Sequence, residues 1–473
     1  MFVSIALIAE RPSALSSRPA ILPGAGAVFS IRARPWHRPS RYQRYRGHNH
    51  SERNYGVLVL SSSAAPRWVR LGPADAIEKN IGLYRHFIRN PNPGEALVAL
   101  LRELHDQLWQ PLSEALPIGT KKLIISPDGE LDFVSFATLL KPNQEFLGQH
   151  YSISYVSSGR DLLSESQQTA RSSDFLVWAN PDFGTGAAEP SHVTPVQVAT
   201  RGAGIGAFRD LSLRPLPGAE KEGEMLRTNS AAFGLSQAVL HLGKEATEAE
   251  LNRVHAPYIL HLATHGFVLP DSGLANPAGG ESEFLTSGFT PRAANPMRRS
   301  GLALAGAQRT LDAWARGETV PPENDGIVTA EEIGTLNLRN TWLVVLSACD
   351  TGMGEARFGE GVLGLRRGFI QAGAQNLLMT LWPIDDEQTV NIIGDFYAAA
   401  AKSRNAAQAL AEVQRTWLVK LRKEKGIAEA CRIAGPFILS SRGPLVSGLD
   451  RATAGAQRES SGPRPIPRSQ RAQ

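Results

Sequence analysis

Residues 341–382 read TWLVVLSACDTGMGEARFGEGVLGLRRGFIQAGAQNLLMTLW, which places a strand, a turn, a helix and a second strand in direct succession. Residues 342–348 are apolar and rich in β-branched side chains, as is typical of a strand buried on both faces of a parallel sheet. The strand is followed by Cys349 and a glycine-containing turn. A helical repeat of apolar residues fills residues 362–372 and ends before Gly373, where a helix cap is expected. The stretch predicts a βαβ unit with a cysteine at the carboxyl end of its first strand, the edge where open α/β sheets bind ligands.

Further strands and helices alternate along the chain on both sides of this unit. Strands are predicted at residues 55–60, 68–71, 122–126, 146–155, 175–179, 238–242, 258–264, 300–306 and 436–439. Amphipathic helices are predicted at residues 95–116 and 405–421, and capping boxes at residues 247–250 and 329–332 open two more. This alternation predicts an α/β fold with a mainly parallel sheet and helices on both faces.

For several polar residues in these elements, the sequence predicts a structural role or a position on a helix face. His255 and His261 are interpreted as structural histidines, His261 because it lies inside a strand and not at its end. Arg366 and Arg367 are predicted to lie on the polar face of the helix after Cys349, opposite its apolar stripe.

The positive charge is carried by the two ends of the chain. Of a formal net charge of +5, residues 1–52 carry +6 and residues 443–473 carry +3, which leaves −4 for residues 53–442. The central part therefore lacks the basic excess of a nucleic-acid-binding surface, and no nucleic-acid partner is expected. Both ends are predicted to be disordered tails around one domain at residues 53–442. An Arg-rich arm for anionic surfaces is the alternative for residues 1–52, although no base-reading fold stands beside it.

The cysteine count and the hydrophobic pattern indicate the cellular environment of the chain. Two cysteines, Cys349 and Cys431, are too few for a disulfide framework or a thiolate zinc site, so we expect a reducing, cytoplasmic environment without metal or cofactor. No apolar run is long enough to span a bilayer, so no membrane partner is expected. The apolar start at residues 2–9 has no preceding positive charge, and a signal peptide is not expected there.

His265 stands at the end of the predicted strand 258–264, as Cys349 does at the end of strand 342–348. Carboxyl ends of parallel strands meet at one edge of a sheet, so the two side chains could face one cleft. A cysteine nucleophile needs a thiolate and a proton donor for the leaving amine, and an imidazole supplies both proton transfers. Backbone N–H groups at Gly266 and Cys349 are candidates for holding an oxyanion. The residues alone leave a structural role open, since a free cysteine in a buried strand is usually an apolar core residue.

Five motifs along the chain resemble those of a known family. They are residues 261–266 (HLATHG), 325–333 (DGIVTAEEI), 347–352 (SACDTG), 359–361 (GEG) and 381–383 (LWP). In these motifs the sequence is similar to the CHAT domain, a caspase-like and separase-like cysteine peptidase domain often found beside tetratricopeptide repeats. Weaker similarity extends from residue 55 to residue 437, which is nearly the whole predicted domain.

The resemblance implies a caspase-like fold and a cysteine endopeptidase that cuts a protein substrate, with Cys349 as nucleophile and His265 as its partner. The chain departs from the family pattern at residues 434–437, which read AGPF where Trp-Ala-Pro-Phe is usual, and at Ser135, where Pro is common. No helical repeats precede Tyr55. Either a separate repeat-containing or activating protein is a partner, or the first fifty residues are not native folded sequence.

A pair of carboxylates follows the strand next to the cysteine strand. Asp385 and Asp386 can reach a pocket beside Cys349, and a basic substrate side chain would fit them. Residues 382–386 are similar to the separase pattern Trp-Asp-Val-Thr-Asp, whose last Asp is implicated in recognising arginine, and Asp386 takes its position. The alternative is that one of the two caps the helix that starts near Gln388.

Two other functions remain open from the sequence. The chain could be a catalytically silent caspase-like scaffold that binds partners, or a cysteine-dependent acyl hydrolase of small substrates. Residues 268–324 are rich in Pro, Gly, Asn and Arg apart from the strand at 300–306. They are predicted to form a long loop that shapes substrate access and must be ordered by binding or cleavage before full activity.

Overall fold

The fold is built around one large sheet, seen here in a computed structural model. The described residues are 27–35, 53–61, 65–90, 94–163, 172–184, 212–268, 296–316, 318, 320–321, 324–347, 358–382 and 386–442. Their strands are β1 (Ala27–Pro35), β2 (Arg53–Leu60), β3 (Arg67–Pro73), β4 (Lys122–Ser126), β5 (Ser152–Tyr155), β6 (Phe175–Pro181), β7 (Ala238–Gly243), β8 (Ile259–Ala263), β9 (Gly266–Val268), β10 (Ser300–Ala303), β11 (Ile327–Thr329), β12 (Leu343–Ser347), β13 (Asn376–Thr380) and β14 (Phe437–Ser441).

Most neighbouring strands of the large sheet run parallel. Across the described residues the order is β3-β2-β1-β4-β5-β14-β13-β12-β8-β6-β7. The antiparallel neighbours are β1 with β2, β2 with β3, and β13 with β14, and the other neighbours are parallel. The predicted hairpin at residues 55–60 and 68–71 is confirmed as β2 and β3.

Helices cover both faces of this sheet. They are α1 (Ala74–Arg89), α2 (Gly94–Leu104), α3 (Gln110–Ser113), α4 (Pro217–Asn229), α5 (Glu248–Asn252), α6 (Pro296–Arg299), α7 (Ala307–Ala315), α8 (Ala330–Ile333), α9 (Phe358–Ala372), α10 (Asp386–Ser403), α11 (Ala406–Lys425) and α12 (Ile427–Ala434). One layer runs from α4 through α10, α11 and α12 to α2 and α1, while α9 lies with α6 and α8 in another. The predicted α/β class, a mainly parallel sheet with helices on both faces, is confirmed.

The βαβ unit predicted from residues 341–382 is confirmed. β12 pairs in parallel with β8 on one side and with β13 on the other, and its residues 343–346 are buried. α9 connects β12 to β13 and is followed by Gly373 at φ +111°, a backbone conformation that glycine adopts without strain. The carboxyl ends of β8, β12 and β13 therefore lie at one edge of the sheet.

Two expectations about irregular sequence need correction. Within residues 1–52, where disorder is predicted, Ala27–Pro35 form β1 between β2 and β4, because pairing on both sides satisfies a backbone whose composition alone suggests a tail. Within residues 268–324, where a long loop is predicted, Pro296–Arg299 and Ala307–Ala315 are helical, and Ser300–Ala303 form the expected strand. The second helix is ordered because its apolar stripe is buried in a small core with Phe183 and Phe267.

A third correction concerns the helix that follows Cys349. Arg366 was expected on the polar face of α9, but it is buried and its Nη1 lies 3.2 Å from Asp132 Oδ1. Arg367 is exposed as expected. Consecutive helix positions differ by about 100° around the axis, so Arg367 can face solvent while Arg366 faces the core.

Candidate active site

His265 lies just beyond the carboxyl end of β8, where its backbone is held against a second, small sheet of β9, β10 and β11. The carbonyl of His265 accepts a hydrogen bond from the Ala303 N–H at 2.9 Å, and the Thr264 hydroxyl donates to the Ala303 carbonyl. The His265 residue is 2% exposed. This backbone pairing fixes the direction in which the histidine leaves the strand, as predicted for a residue at the sheet edge.

The imidazole of His265 is oriented by a backbone carbonyl. Its Nε2 lies 2.7 Å from the Arg214 carbonyl oxygen, and its ring centroid is 5.0 Å from that of Phe183. A carbonyl oxygen can only accept a hydrogen bond, so we assign the proton of neutral His265 to Nε2. Nδ1 is then the nitrogen that can take up and return a proton during a reaction.

Residues 212–216, called the strap here, carry the carbonyl that holds His265. The backbone N–H of Leu213 donates to Gln308 Oε1 at 2.7 Å, and that of Leu216 donates to Asn180 Oδ1 at 2.6 Å. Asn180 belongs to β6 and Gln308 to α7. Side chains from two different elements therefore fix the strap, an arrangement for which no sequence pattern was found.

Cys349 and its backbone N–H lie outside the described residues, as does the turn after them. The last described residue before it is Ser347, which pairs with Ala263 of β8. Gly266, the other predicted oxyanion residue, is the first residue of β9 and pairs with Leu302. Among the predicted residues, the structure thus places His265 and Gly266 at the carboxyl edge of β8, beside the end of the strand that leads to the cysteine.

A buried acid that the sequence analysis did not single out lies behind this edge. Glu222 of α4 is 2% exposed, and its Oε2 accepts a hydrogen bond from Ser347 Oγ at 2.9 Å. Its Oε1 lies 3.0 Å from Nε2 of His261, whose Nδ1 is 3.0 Å from the hydroxyl oxygen of Tyr397. Burial, and secondly the charge of Glu222, raise the pKa of Tyr397 well above its ordinary value. His261 is thus a structural histidine, as predicted.

A pattern in α4 could have revealed this acid. The helix buries Ala219, Gly223 and Leu226, a repeat of apolar and small residues on one face. Glu222 stands on the same buried stripe, where a charged side chain is retained only if partners offset the loss of water. A glutamate at a core position of a helical repeat is therefore the signal that the sequence offered.

The two predicted substrate carboxylates, Asp385 and Asp386, follow β13 in the sequence. α10 begins at Asp386, so this residue occupies the first turn, where a carboxylate interacts favourably with the helix dipole. Asp385 lies outside the described residues. Trp382, which precedes both aspartates in the sequence, is buried, and its Nε1 donates to the Arg432 carbonyl at 2.8 Å. The position of Asp386 fits a helix start, and its proposed contact with substrate stays a prediction.

In the part of the chain that the structure describes, every helix is too short or too polar to span a bilayer. That part of the chain also contains no group of three or more His, Cys, Asp or Glu side chains that could hold a metal ion.

Comparisons with known proteins agree with the motifs in the sequence. The sequence model of the CHAT domain matches residues 98–446. Tetratricopeptide repeat protein 28 of Homo sapiens is 27% identical over 365 residues, which cover 72% of this chain and 13% of that protein. The Mus musculus protein of the same name is 27% identical over 333 residues, covering 67% of this chain and 12% of its own length. The chain therefore spans only a small part of these curated relatives.

Two solved structures also align with the chain. The Saccharomyces cerevisiae separase–securin complex aligns at 9% identity and a TM-score of 0.34, covering 81% of this chain and 21% of that one. The Arg-specific cysteine proteinase gingipain R aligns at 6% identity and a TM-score of 0.34, covering 79% of this chain and 75% of that one.

Proposed function

The chain belongs to the CHAT domain family, and from this membership we propose that it is a caspase-like and separase-like cysteine endopeptidase that cleaves a partner protein. In this proposal Cys349 is the nucleophile and His265 is its acid and base. Gly266 and Cys349 supply backbone N–H groups to the oxyanion.

The register of β8 and β12 is the observation that carries the proposal. Ser347 pairs with Ala263. In the sequence, Cys349 stands two residues after Ser347, and His265 stands two residues after Ala263. Neighbouring parallel strands lie about 4.8 Å apart. Continuing the same register would bring a thiol and an imidazole to one face of one cleft. In this proposal, the carbonyl that holds Nε2 of His265 orients the ring so that Nδ1 serves as the general base.

The residues suffice for the chemistry of peptide hydrolysis. The Cys349 thiolate forms a C–S bond to the scissile carbonyl carbon, and the carbonyl π electrons move to oxygen. When the C–O double bond re-forms, the C–N bond breaks and protonated His265 gives its Nδ1 proton to the leaving amine. A water molecule then attacks the thioester, loses its proton to His265, and the C–S bond breaks to release the acid and the thiolate.

A substrate trap tests the proposal. Cys349→Ala is used to capture proteins from a lysate, and mass spectrometry identifies those enriched over the wild-type chain. A captured protein counts as a substrate only if the wild-type chain cuts it and neither Cys349→Ala nor His265→Ala does. We expect this result for one or a few proteins. If the wild-type chain and His265→Ala cut a captured protein at the same rate, the dyad assignment is wrong.

The same materials separate the two other functions. An electrophilic peptide probe that fails to label Cys349 in the wild-type chain would favour a silent scaffold, since labelling needs a reactive thiolate beside a peptide groove. Turnover of small esters without cleavage of any captured protein or peptide would instead favour an acyl hydrolase.

We also propose that a separate protein delivers the substrate or activates this domain. The curated relatives are named for tetratricopeptide repeats and are much longer than the matched region. Stacked helical repeats present extended concave surfaces that bind other proteins. Co-purification with a repeat protein that raises the rate of substrate cleavage would support the proposal, whereas full activity of the purified chain alone would contradict it.

A further inference from the structure

Glu222 makes its directed contact with the strand that leads to the cysteine. Its Oε2 accepts a hydrogen bond from Ser347 Oγ at 2.9 Å, and Ser347 is the last residue of β12. The 3.0 Å approach between Glu222 Oε1 and His261 Nε2 is not aligned as a hydrogen bond. We therefore treat that approach as electrostatic. Ser347 is the partner that gives the Glu222 carboxylate a fixed direction.

A purely structural role explains this acid poorly. A carboxylate taken out of water is costly, and replacing a buried ionic group by a well-packed apolar side chain often stabilises a protein. Glu222 stands on the buried stripe of α4 with Ala219 and Leu226, where an apolar residue would pack without this cost. Ser347 and His261, which lie within 3.0 Å of its carboxylate, belong to strands that end at the proposed dyad.

The same segment of chain also holds the histidine. The Arg214 carbonyl lies 2.7 Å from His265 Nε2, and Glu222 follows eight positions later in the sequence. Between them, Leu216 is fixed to Asn180 and α4 begins at Pro217. One continuous stretch, residues 214–222, thus contacts His265 through its first residue and the cysteine strand through its last.

We propose that residues 214–222 form a positioning bridge that sets the relative geometry of the dyad, with Glu222 as the positioning residue for Cys349. This inference rests on the proposed function. Glu222 does not touch the substrate and acts through Ser347, two residues before the nucleophile. The hydrogen bond fixes the position of the end of β12 relative to β8. The thiol is thereby kept within reach of the imidazole, which stabilises the thiolate.

The test uses the reactivity of the thiol and does not require the natural substrate. Iodoacetamide labelling of Cys349 in the full chain is followed by mass spectrometry between pH 5 and 9. Ser347→Ala removes the donor, and Ser347→Thr restores a hydroxyl. Ser135→Ala is the matched control, because it removes a buried serine hydroxyl that donates to the Gly435 carbonyl at 2.7 Å in another part of the fold. Each variant is also melted thermally.

We expect Ser347→Ala to slow labelling at pH 7 by about tenfold, since a thiol moved away from the imidazole holds less thiolate at this pH. The pH midpoint of labelling should move up toward the free-thiol value of about 8.5. Ser347→Thr and Ser135→Ala should label as the wild-type chain does. Adding Glu222→Gln to Ser347→Ala should cause no further slowing, because the two residues act through one contact.

The outcomes separate this inference from the function on which it rests. If Ser347→Ala labels at the wild-type rate while His265→Ala is slow, the positioning bridge is overturned and the dyad stands. Equal slowing in Ser347→Ala and Ser135→Ala would assign the effect to lost stability and also overturn the bridge. If His265→Ala labels as fast as the wild-type chain, the dyad itself fails and the bridge fails with it.

Discussion

Two buried polar clusters lie against different parts of the sheet, and they differ in what they hold. The site cluster consists of Glu222, His261, His265 and Ser347 and ties α4 and the strap to the ends of β8 and β12. The support cluster consists of Asp132, Ser135, Tyr155 and Arg366 and ties α9 and the segment after β4 to the core. Both clusters consist mostly of buried residues, with Ser347 and Asp132 partly exposed, so burial of polar groups alone does not identify a functional site. The site cluster differs from the support cluster in that His265 and Ser347 lie at the ends of the two strands that lead to the proposed dyad.

The two departures from the family pattern also distinguish the clusters. Ser135 stands where Pro is common, and its hydroxyl donates to the carbonyl of Gly435 in the altered residues 434–437 at 2.7 Å. A Cβ atom on Gly435 would lie 2.2 Å from the Cys431 carbonyl oxygen, so the backbone there leaves no space for a side chain. The departures contact each other in the support cluster, while the motif residues around His265 are unchanged.

The largest expected difference between the clusters is in activity. His265→Ala should lower the rate of substrate cleavage by about 10²–10⁴-fold, the usual contribution of a general acid and base, and Cys349→Ala should abolish it. Neither change should lower the melting temperature by more than a few degrees, because His265 lies beyond a strand end. Ser135→Ala in the support cluster should leave cleavage unchanged. Turnover assays with a trapped substrate, beside thermal melts, measure both effects.

The two cysteines should differ almost as strongly. Cys431 is fully buried in α12, and burial raises the pKa of its thiol to about 12, with a hydrogen bond to Thr138 opposing the shift. An activated Cys349 titrates below about 8.5, so at pH 7 its thiolate fraction should exceed that of Cys431 by more than about a thousandfold. Iodoacetamide should label Cys349 in the folded chain and Cys431 only after unfolding. Labelling of Cys431 first would contradict an active thiol at the strand end.

Local sequence predicted the framework of the site but not its supports. Strand ends and glycine turns are short-range signals, so the βαβ unit around Cys349 and the strand before His265 could be predicted. The helical repeat of α4 marks Glu222 as a buried position, but its contact with Ser347 joins residues 125 positions apart, and no local pattern reveals that partner. Arg366 was placed on the wrong face for the same reason, because its partner Asp132 lies 234 positions away.

Predictions from amino-acid composition were wrong for two other elements, β1 and α7. β1 lies in an Arg- and Pro-rich stretch that reads as a tail, and α7 lies in a stretch that reads as a loop. Both elements are ordered by long-range packing or pairing, which outweighs weak local propensity. Assignments from composition therefore fail most readily where a short segment pairs inside a sheet or completes a small core.

Asp386 is predicted to contribute to the choice of substrate. It starts α10 at the edge that carries His265, so it is expected to pair with a basic substrate side chain. Asp386→Asn should lower kcat/KM for arginine peptides by about 10- to 100-fold, because a carboxylate that pairs with a guanidinium discriminates strongly between charged and neutral partners. The melting temperature should change little. An equal loss for all peptides, or no preference for Arg or Lys before the cut bond, would leave Asp386 as a helix-start residue.

The smallest expected effect is in the support cluster and concerns stability against pH. Nη1 of Arg366 lies 3.2 Å from Asp132 Oδ1, while its Nε and Nη2 have no hydrogen-bond partner among the residues that the structure describes. Burial therefore outweighs the attraction and raises the pKa of Asp132 to about 6, with Arg366 opposing the shift. In the unfolded chain the same carboxyl titrates near 3.9.

Because the folded-state pKa of Asp132 is the higher one, protonation favours the folded chain. The resulting stability is fully present below about pH 4 and is lost as the pH rises through about 6. Urea unfolding of the wild-type chain and of Asp132→Asn should therefore differ with pH. Between pH 4 and 7 the wild-type chain should lose on the order of 2 kcal/mol relative to the variant, with cleavage activity unchanged. If the wild-type chain instead gains stability relative to Asp132→Asn over this range, the ion pair with Arg366 outweighs burial, and the support cluster is held by charge.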